Sequence, residues 1–393
     1  MLFMMVRAIF FIRWSTMSIK SLYIHIPFCD QICSYCDFPK VFAKHQNTDA
    51  YLDALIAELE IYAQTVDLKG LKTLYLGGGT PTALSTEQLD RLFCYLKSII
   101  SFDPLVEVSI EANPDSLNDD AKIESLRKNG VTRISLGVQT FNPNHLKILE
   151  RTHSARDVCE LISKLAIAGF EINVDMIYGI PTQTLADWEE DLEILLQLPI
   201  THVSAYSLIL EPHTKFYLQY ENDELDLVEN EVEAQMFELV AGKLTHAGFD
   251  HYEISNFTRG NRSVHNETYW KNESYLGVGL GSHGKINGSR YENTRSINAY
   301  KRALSGSKLP ILSVRLLKQD EHIEESMFLG LRMLEGVDLE QLSNKYQMDI
   351  YELYKPKIAK LESLGYVSWK SGVLRLTKKG LLMANEVFAE FLL

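Results

Sequence analysis

The chain has 393 residues, 46% hydrophobic and 23% charged, the composition of a globular protein with room for two or three domains. Its formal net charge of −13, with no long basic run, disfavours bulk nucleic acid and anionic lipid as partners. Five cysteines, an odd number, argue against a disulfide framework.

The first 16 residues, MLFMMVRAIFFIRWST, are apolar but interrupted by Arg7, Arg13 and Trp14. The stretch is shorter than the ~20 residues that span a bilayer, and no small-residue cleavage site follows it. Met17 is a candidate start. No later segment is long and apolar enough to cross a membrane. A reducing cytoplasm is the expected location, because the clustered thiols described below must stay reduced.

From residue 21 onward, strand-like runs alternate with helical ones. The strands read SLYIHIPF (21–28), KTLYLG (72–77), VEVSIEA (106–112), TRISLGV (132–138), EINVDMIYG (171–179) and HVSAYSLIL (202–210). They read as mostly apolar on both faces, as buried parallel strands are. DAYLDALIAELEIYA, TEQLDRLFCYLKSI, DDAKIESLRKNG and ADWEEDLEILLQL fill gaps as helices, with Gly130, Gly169 and Gly248 at expected helix ends. Six β–α units in series predict right-handed crossovers and an α/β fold, a partial (β/α)6 TIM-like barrel over 21–250 with a lateral opening. Ligands of such sheets collect at the carboxyl ends of the strands. Residues 1–20 are an extension, and 251–314 read as a linking region of loops and short elements. Residues 315–393 read as helices, two short strands and a last helix, a small winged-helix-like domain. The acidic balance of the chain favours packing or protein interaction there over DNA.

The run IHIPFCDQICSYCDF places Cys29, Cys33 and Cys36 just after the first strand, on a loop at its carboxyl end. Three thiolates at this spacing can hold three corners of a [4Fe–4S] cluster and leave one iron open to a ligand. Zinc is the alternative, but it usually takes four ligands from two paired arms, and only distant His45 is on offer. Phe28, Tyr35 and Phe38 are placed to shield the cluster from water. Cys94 and Cys159, alone in helical stretches, read as small core residues.

The second strand ends in LGGGTPT (76–82), where three glycines allow close backbone approach to a ligand. Polar residues recur at later strands: Glu111 in SIEANPD, Gln139 in GVQTF, Asp175 in NVDMIYG, and then Arg151 in ILERTH. A carboxylate in a parallel strand is costly unless it is paired or faces a ligand. Gathered at one end of one sheet, these groups favour a shared ligand.

The triplet in this setting resembles the signature of the radical S-adenosylmethionine superfamily. YIHIPFC, GGGTPT, SIEANPD, LGVQTF and DMIYGIPTQT narrow the resemblance to the oxygen-independent coproporphyrinogen dehydrogenase (HemN) family and its HemW branch. The resemblance implies S-adenosylmethionine on the open iron. It implies Tyr23, Gly78, Gly79, Thr80, Glu111, Gln139, Arg151 and Asp175 as its contacts, the glycine turn receiving the methionine amino group. Whether the molecule is cleaved is left open. Two departures separate this chain from the decarboxylating branch: Phe38 stands in place of a further cysteine, and only about 20 residues precede the cluster strand. VHNETYW (264–270) resembles the HNxxYW motif of the HemW branch, which implies haem as a ligand and His265 as a residue that binds it. If the segment is helical, His265 and Tyr269 share a face. HYEISNF (251–257) and GVGLGSHG (277–284) are similar to the same branch, with His283 a second ligand candidate. The implied function is a haem chaperone that delivers haem to an acceptor protein, with a membrane respiratory enzyme as one such acceptor. The chain would then work in the cytoplasm or at the membrane edge, alone or as a homodimer. The alternative is oxidative decarboxylation of coproporphyrinogen III.

Overall fold

The barrel strands obey a strict two-residue alternation, and this decides what the barrel encloses. The strands are β1 (Ser21–Ile26), β2 (Thr73–Gly78), β3 (Glu107–Ala112), β4 (Arg133–Gln139), β5 (Glu171–Tyr178) and β6 (His202–Ser207). Leu22, Ile24, Leu74, Leu76, Val108, Ile110, Ile134, Leu136, Ile172, Val174 and Val203 face outward and form one continuous core with the surrounding helices. The intervening Ser21, Tyr23, His25, Tyr75, Ser109, Glu111, Ser135, Asn173, Asp175 and Ser204 point into the barrel. The expectation of strands apolar on both faces is therefore corrected: only the helix-covered face is apolar. Burying a Leu or Ile side chain is worth about 1.5–3 kcal/mol, so a one-residue slip would expose the whole outward set and is excluded.

The computed structural model describes residues 19–393 apart from 104 and 118; the apolar N-terminal stretch and Met17 lie outside the described residues. Helices return the chain between strands, and several carry the capping chemistry their sequences promise. Ser85 with Gln88 and Thr184 with Asp187 form capping boxes at Thr86–Ile99 and Leu185–Leu196. Gly130, Gly169 and Gly248 end their helices at φ +89°, +87° and +87°, a conformation that favours glycine.

Residues 251–314 do more than link. They supply β7 (Asp250–Glu253), β8 (Asn256–Thr258), β9 (Tyr275–Gly279), β10 (His283–Ile286), β11 (Ser289–Asn293) and β12 (Ile311–Leu316). The sheet order is β12-β11-β10-β9-β1-β2-β3-β4-β5-β6-β8-β7. Strand β9 pairs in parallel with β1, Tyr23 opposite Gly277 and His25 opposite Gly279, so it extends the parallel set by one strand. The short elements expected in this region are strands that join the main sheet; being short and rich in glycine and polar residues, they carried no signal of that pairing.

Between β8 and β9 the chain crosses beneath the barrel as a seven-residue helix, Val264–Trp270, capped by Ser263. It plugs the amino end of the barrel. Its first residue donates its backbone N–H to Glu107 Oε2 at 2.7 Å, and Thr268 bonds Ser21 at 2.8 Å.

The C-terminal residues form a separate core around Ile323, Met327, Val337, Ile350, Tyr354, Ile358, Leu374 and Phe391. Helices Gln319–Gly330, Leu339–Tyr346 and Ile350–Ser363 precede a hairpin, Val367–Lys370 with Val373–Leu376, and Val337–Asp338 completes a three-stranded sheet. This is the winged-helix order of helix, strand, two helices and two wing strands. The domain does not hang free. Glu325 pairs with Lys285 at 2.7 Å and with Arg290 at 2.8 Å on one flank of the sheet. On the other flank, Met333 bridges Glu253, and Leu334 donates its N–H to the Tyr252 carbonyl at 3.0 Å. The expected lateral opening is thus spanned by residues of the C-terminal domain.

Candidate cofactor cavity

At the carboxyl ends of the strands the polar inner faces enclose a cavity of about 970 Å³. That is near the upper end of ordinary ligand pockets, which run to roughly 1,000 Å³, so two ligands can share it. Cys29, Cys33, Cys36, Tyr23, Gly78, Gly79, Thr80, Glu111, Gln139, Arg151 and Asp175 all line it. The structure therefore brings together every sequence-predicted site residue except His265.

The cysteines sit on a loop tied down at both ends. Val41 donates to the Pro27 carbonyl at 2.8 Å, and Thr80 N–H donates to the Phe28 carbonyl at 2.8 Å. Lys40 Nζ donates to the Cys36 carbonyl. Cys29 is buried and its pKa is pushed up to about 11 by that burial, with the Thr80 hydroxyl and Lys40 pulling the other way and Cys36 and Cys33 adding to the push. Such a thiol is unreactive until a metal displaces its proton. Gly79 forms the cradle beside it: a Cβ there would lie 3.0 Å from Cys29 Sγ and 2.8 Å from the Phe28 carbonyl oxygen. Among the described residues, no three His, Cys, Asp or Glu side chains close on a single-ion site. Three free thiols on one loop, all lining one cavity, fit three corners of a cubane.

Glu111 is oriented by two donors, the Tyr75 hydroxyl at 2.9 Å and the Gly78 N–H at 2.9 Å. Burial pushes its pKa up to about 7, those two donors opposing and Asp175 adding to the rise. Burial also raises Asp175, which accepts from Ser135 at 2.9 Å and from Asn173 at 2.7 Å. Gln139 has φ +71° and sits where the β4–β5 register slips, a bulge that turns its side chain toward the cavity. Arg151 donates to Asn113 Oδ1 at 3.0 Å and to the Gly137 carbonyl at 2.8 Å. Its buried Nε has no partner among the described residues, so the guanidinium retains a donor for a ligand carboxylate.

Sequence reasoning passed over Tyr75, His25 and Asn113. Alternation on β1 and β2 was the available signal, since Tyr75 stands two residues after Thr73 on the same face as Tyr23. His25 bonds the Tyr23 hydroxyl through Nδ1 at 3.1 Å and the Pro39 carbonyl through Nε2 at 2.7 Å, locking the cluster loop to β1.

His265 lies elsewhere. It is fully buried at the amino end of the barrel, on the plug helix. Thr73 donates its proton to Ser21 at 2.8 Å, so toward His265 it can only accept. Nδ1 of His265 therefore carries the ring proton, donated to Thr73 Oγ1 at 2.8 Å, and Nε2 accepts from the Tyr269 hydroxyl at 2.8 Å. Burial pushes its pKa down to about 3, so the ring is neutral, and neither nitrogen is free for iron. Expected as a haem-binding residue, His265 has both ring nitrogens engaged here; the motif presents Asn266, Tyr269 and Trp270 to the cavity, and His265 fixes Tyr269 from below.

Three other expectations change. Phe38 is 65% exposed on the cavity rim and shields nothing, while Phe28 is buried against Tyr51. Cys94 is exposed, because it follows Phe93 by one residue and so lies off the apolar face of its helix. Cys159 is only half-buried against the core.

The comparisons agree with this geometry. The radical SAM superfamily model matches residues 23–195, and the HemN C-terminal domain matches 317–383. The chain is 41% identical to the heme chaperone HemW of Lactococcus lactis, covering 95% of this chain and 97% of the relative. It is 40% identical to the Bacillus subtilis heme chaperone HemW, covering 95% and 99%. A mitochondrial radical S-adenosyl methionine domain-containing protein 1 from Danio rerio is 30% identical over 95% of this chain and 87% of that one. Among solved structures, coproporphyrinogen III oxidase (HemN) of Escherichia coli superposes with a TM-score of 0.85, covering 97% of this chain and 92% of that one at 23% identity, a likeness of fold. With a partial barrel carrying the cysteine loop, a HemN-type C-terminal domain and relatives this similar over nearly their whole length, the chain belongs to the HemW family of the radical S-adenosylmethionine superfamily.

Proposed function

We propose that this chain binds haem and passes it to an acceptor protein, using a cavity that also holds a [4Fe–4S] cluster and S-adenosylmethionine. The observation that carries the reading is the composition of this cavity. The three cysteines, the glycine turn, Glu111 and Arg151 line it at the carboxyl end of the strands, and Tyr269, Trp270, Tyr275, His283 and Arg295 wall it as well. Aromatic rings suit the faces of a porphyrin, and cations suit its propionates. The names of the relatives support haem as the cargo.

Cys29, Cys33 and Cys36 would hold the cluster, and Arg151 and Gly78–Thr80 would receive the carboxylate and amino group of S-adenosylmethionine. The cluster supplies a low-potential electron to that end of the cavity when bound. The chain's own residues bind, orient and exclude water there: Tyr75 and the Gly78 N–H aim Glu111, and His25 fixes the loop. Among the described residues no helix is long and apolar enough to cross a membrane. Delivery to a membrane respiratory enzyme would then be made from the membrane edge, by docking of this chain with its acceptor.

Anaerobically reconstituted protein tests the reading against its rival. Titration with haem is expected to give a saturable Soret band at one haem per chain. Incubation with coproporphyrinogen III, S-adenosylmethionine and a reductant is expected to leave the substrate unchanged. Absence of the Soret band, or formation of protoporphyrinogen, would overturn the reading.

A further inference from the structure

Haem iron in this cavity needs a ligand, and histidine is the usual one. The chain has eleven histidines. Two of them, His25 and His283, line the cavity. Both nitrogens of His25 are engaged, by Tyr23 and by the Pro39 carbonyl. His283 is exposed, and neither of its ring nitrogens has a hydrogen-bond partner among the described residues.

The GVGLGSHG run explains why His283 stands where it does. Strand β9 ends at Gly279 beside His25 of β1, and the chain turns through Leu280–Ser282 straight into β10, which begins at His283. His283 is therefore at the carboxyl edge of the sheet, the edge that carries the cysteine loop. The turn is held from several sides. Glu58 accepts the Gly279 N–H at 2.8 Å and the Asn293 amide at 2.7 Å, and Tyr51 accepts the Leu280 N–H at 3.0 Å. Gly281, at φ +64°, lets the turn press on the cluster loop: a Cβ there would lie 2.6 Å from Pro39 Cγ. A residue on so rigid a mount, with an unused imidazole, has the features of a ligand site rather than of a surface side chain.

Arg295 follows β11, whose last residues lie opposite His283, and so reaches the same edge. Its nearest carboxylate is Glu292 at 3.9 Å, beyond hydrogen-bond range, while Arg290 is already committed to Glu325 at 2.8 Å. Partial enclosure lowers the pKa of His283, Glu292 opposing and Arg295 and Arg290 adding to the fall. That shift favours the neutral ring, the form that binds iron.

The geometry points to His283 as the residue that would ligate the iron of a haem in this cavity and to Arg295 as the group that would pair with a haem propionate. This rests on the reading of haem as cargo and adds the residues that grip it. The plug-helix histidine then serves the floor of the cavity, not the iron.

The test is a haem titration of the full, cluster-reconstituted chain beside His283→Ala, Arg295→Gln and His265→Gln. His283→Ala is expected to weaken haem binding by about tenfold or more and to shift the Soret band, with added imidazole restoring its position. Arg295→Gln is expected to weaken binding several-fold with the band unmoved, since the iron ligand is intact. His265→Gln is expected to keep the band of the parent. An unchanged band and affinity in His283→Ala, while the parent binds haem, overturns the ligand assignment alone. Failure of the parent itself to bind haem overturns the cargo reading.

Discussion

Replacing Cys29, Cys33 and Cys36 together with alanine is expected to take iron and sulfide from about four of each per chain to near zero after anaerobic reconstitution. The brown absorption should vanish with them. The fold should survive, because the loop lies outside the large apolar core and only Cys29 is buried. Loss of one small buried thiol costs about 1 kcal/mol. Cys94 and Cys159 cannot substitute, since both sit on helices away from the cavity lining. Iron and sulfide analysis with circular dichroism on the same sample checks both halves. A triple variant that keeps the chromophore would remove the cluster from this loop.

His265→Ala is expected to lower unfolding stability by about 3 kcal/mol, because it takes the acceptor from the Tyr269 hydroxyl, removes the hydrogen bond to Thr73 and opens a buried void. The ring is the hinge of a directional chain: Tyr269 donates to His265, His265 to Thr73, Thr73 to Ser21, Ser21 to Thr268, and Thr268 to the Val264 carbonyl. Tyr75 also stacks on it at 5.0 Å. His265→Gln, which can keep one donor and one acceptor, should recover part of the loss. Denaturant unfolding of the parent and both variants decides this. Equal stability of parent and His265→Ala would show that the plug does not depend on the ring.

The two histidines show how far the sequence could be read. The barrel strands were placed within a few residues, since β-rich runs with turn residues at their ends are strong local signals. The cysteine loop and the glycine turn were legible because their chemistry is local in sequence. The closure of the barrel was not. Strand β9 joins β1 from about 250 residues downstream, and nothing near YLGVG announces a parallel partner so remote. Tertiary pairing decides it.

The same limit explains His265. Sequence places it one helical turn from Tyr269, which is correct, but not at which end of the barrel that helix lies. Its bond to Thr73 of β2 fixes the amino end, opposite the cysteines. His283 was already a second ligand candidate in GVGLGSHG, but its place at the cysteine edge came only with the start of β10 there. Alternation was present in the sequence although the strands read as apolar on both faces: in LYIHI and NVDM, tyrosine, histidine and aspartate fall on the face opposite the leucine, isoleucine and valine.

The central claim is that one iron of a cluster at Cys29, Cys33 and Cys36 faces a pocket shaped for S-adenosylmethionine. Electron paramagnetic resonance of the dithionite-reduced, anaerobically reconstituted protein, recorded before and after adding S-adenosylmethionine, tests it directly. The account predicts a cluster signal whose g values shift on addition. A signal that S-adenosylmethionine leaves unmoved, or no cluster signal at all, would contradict it.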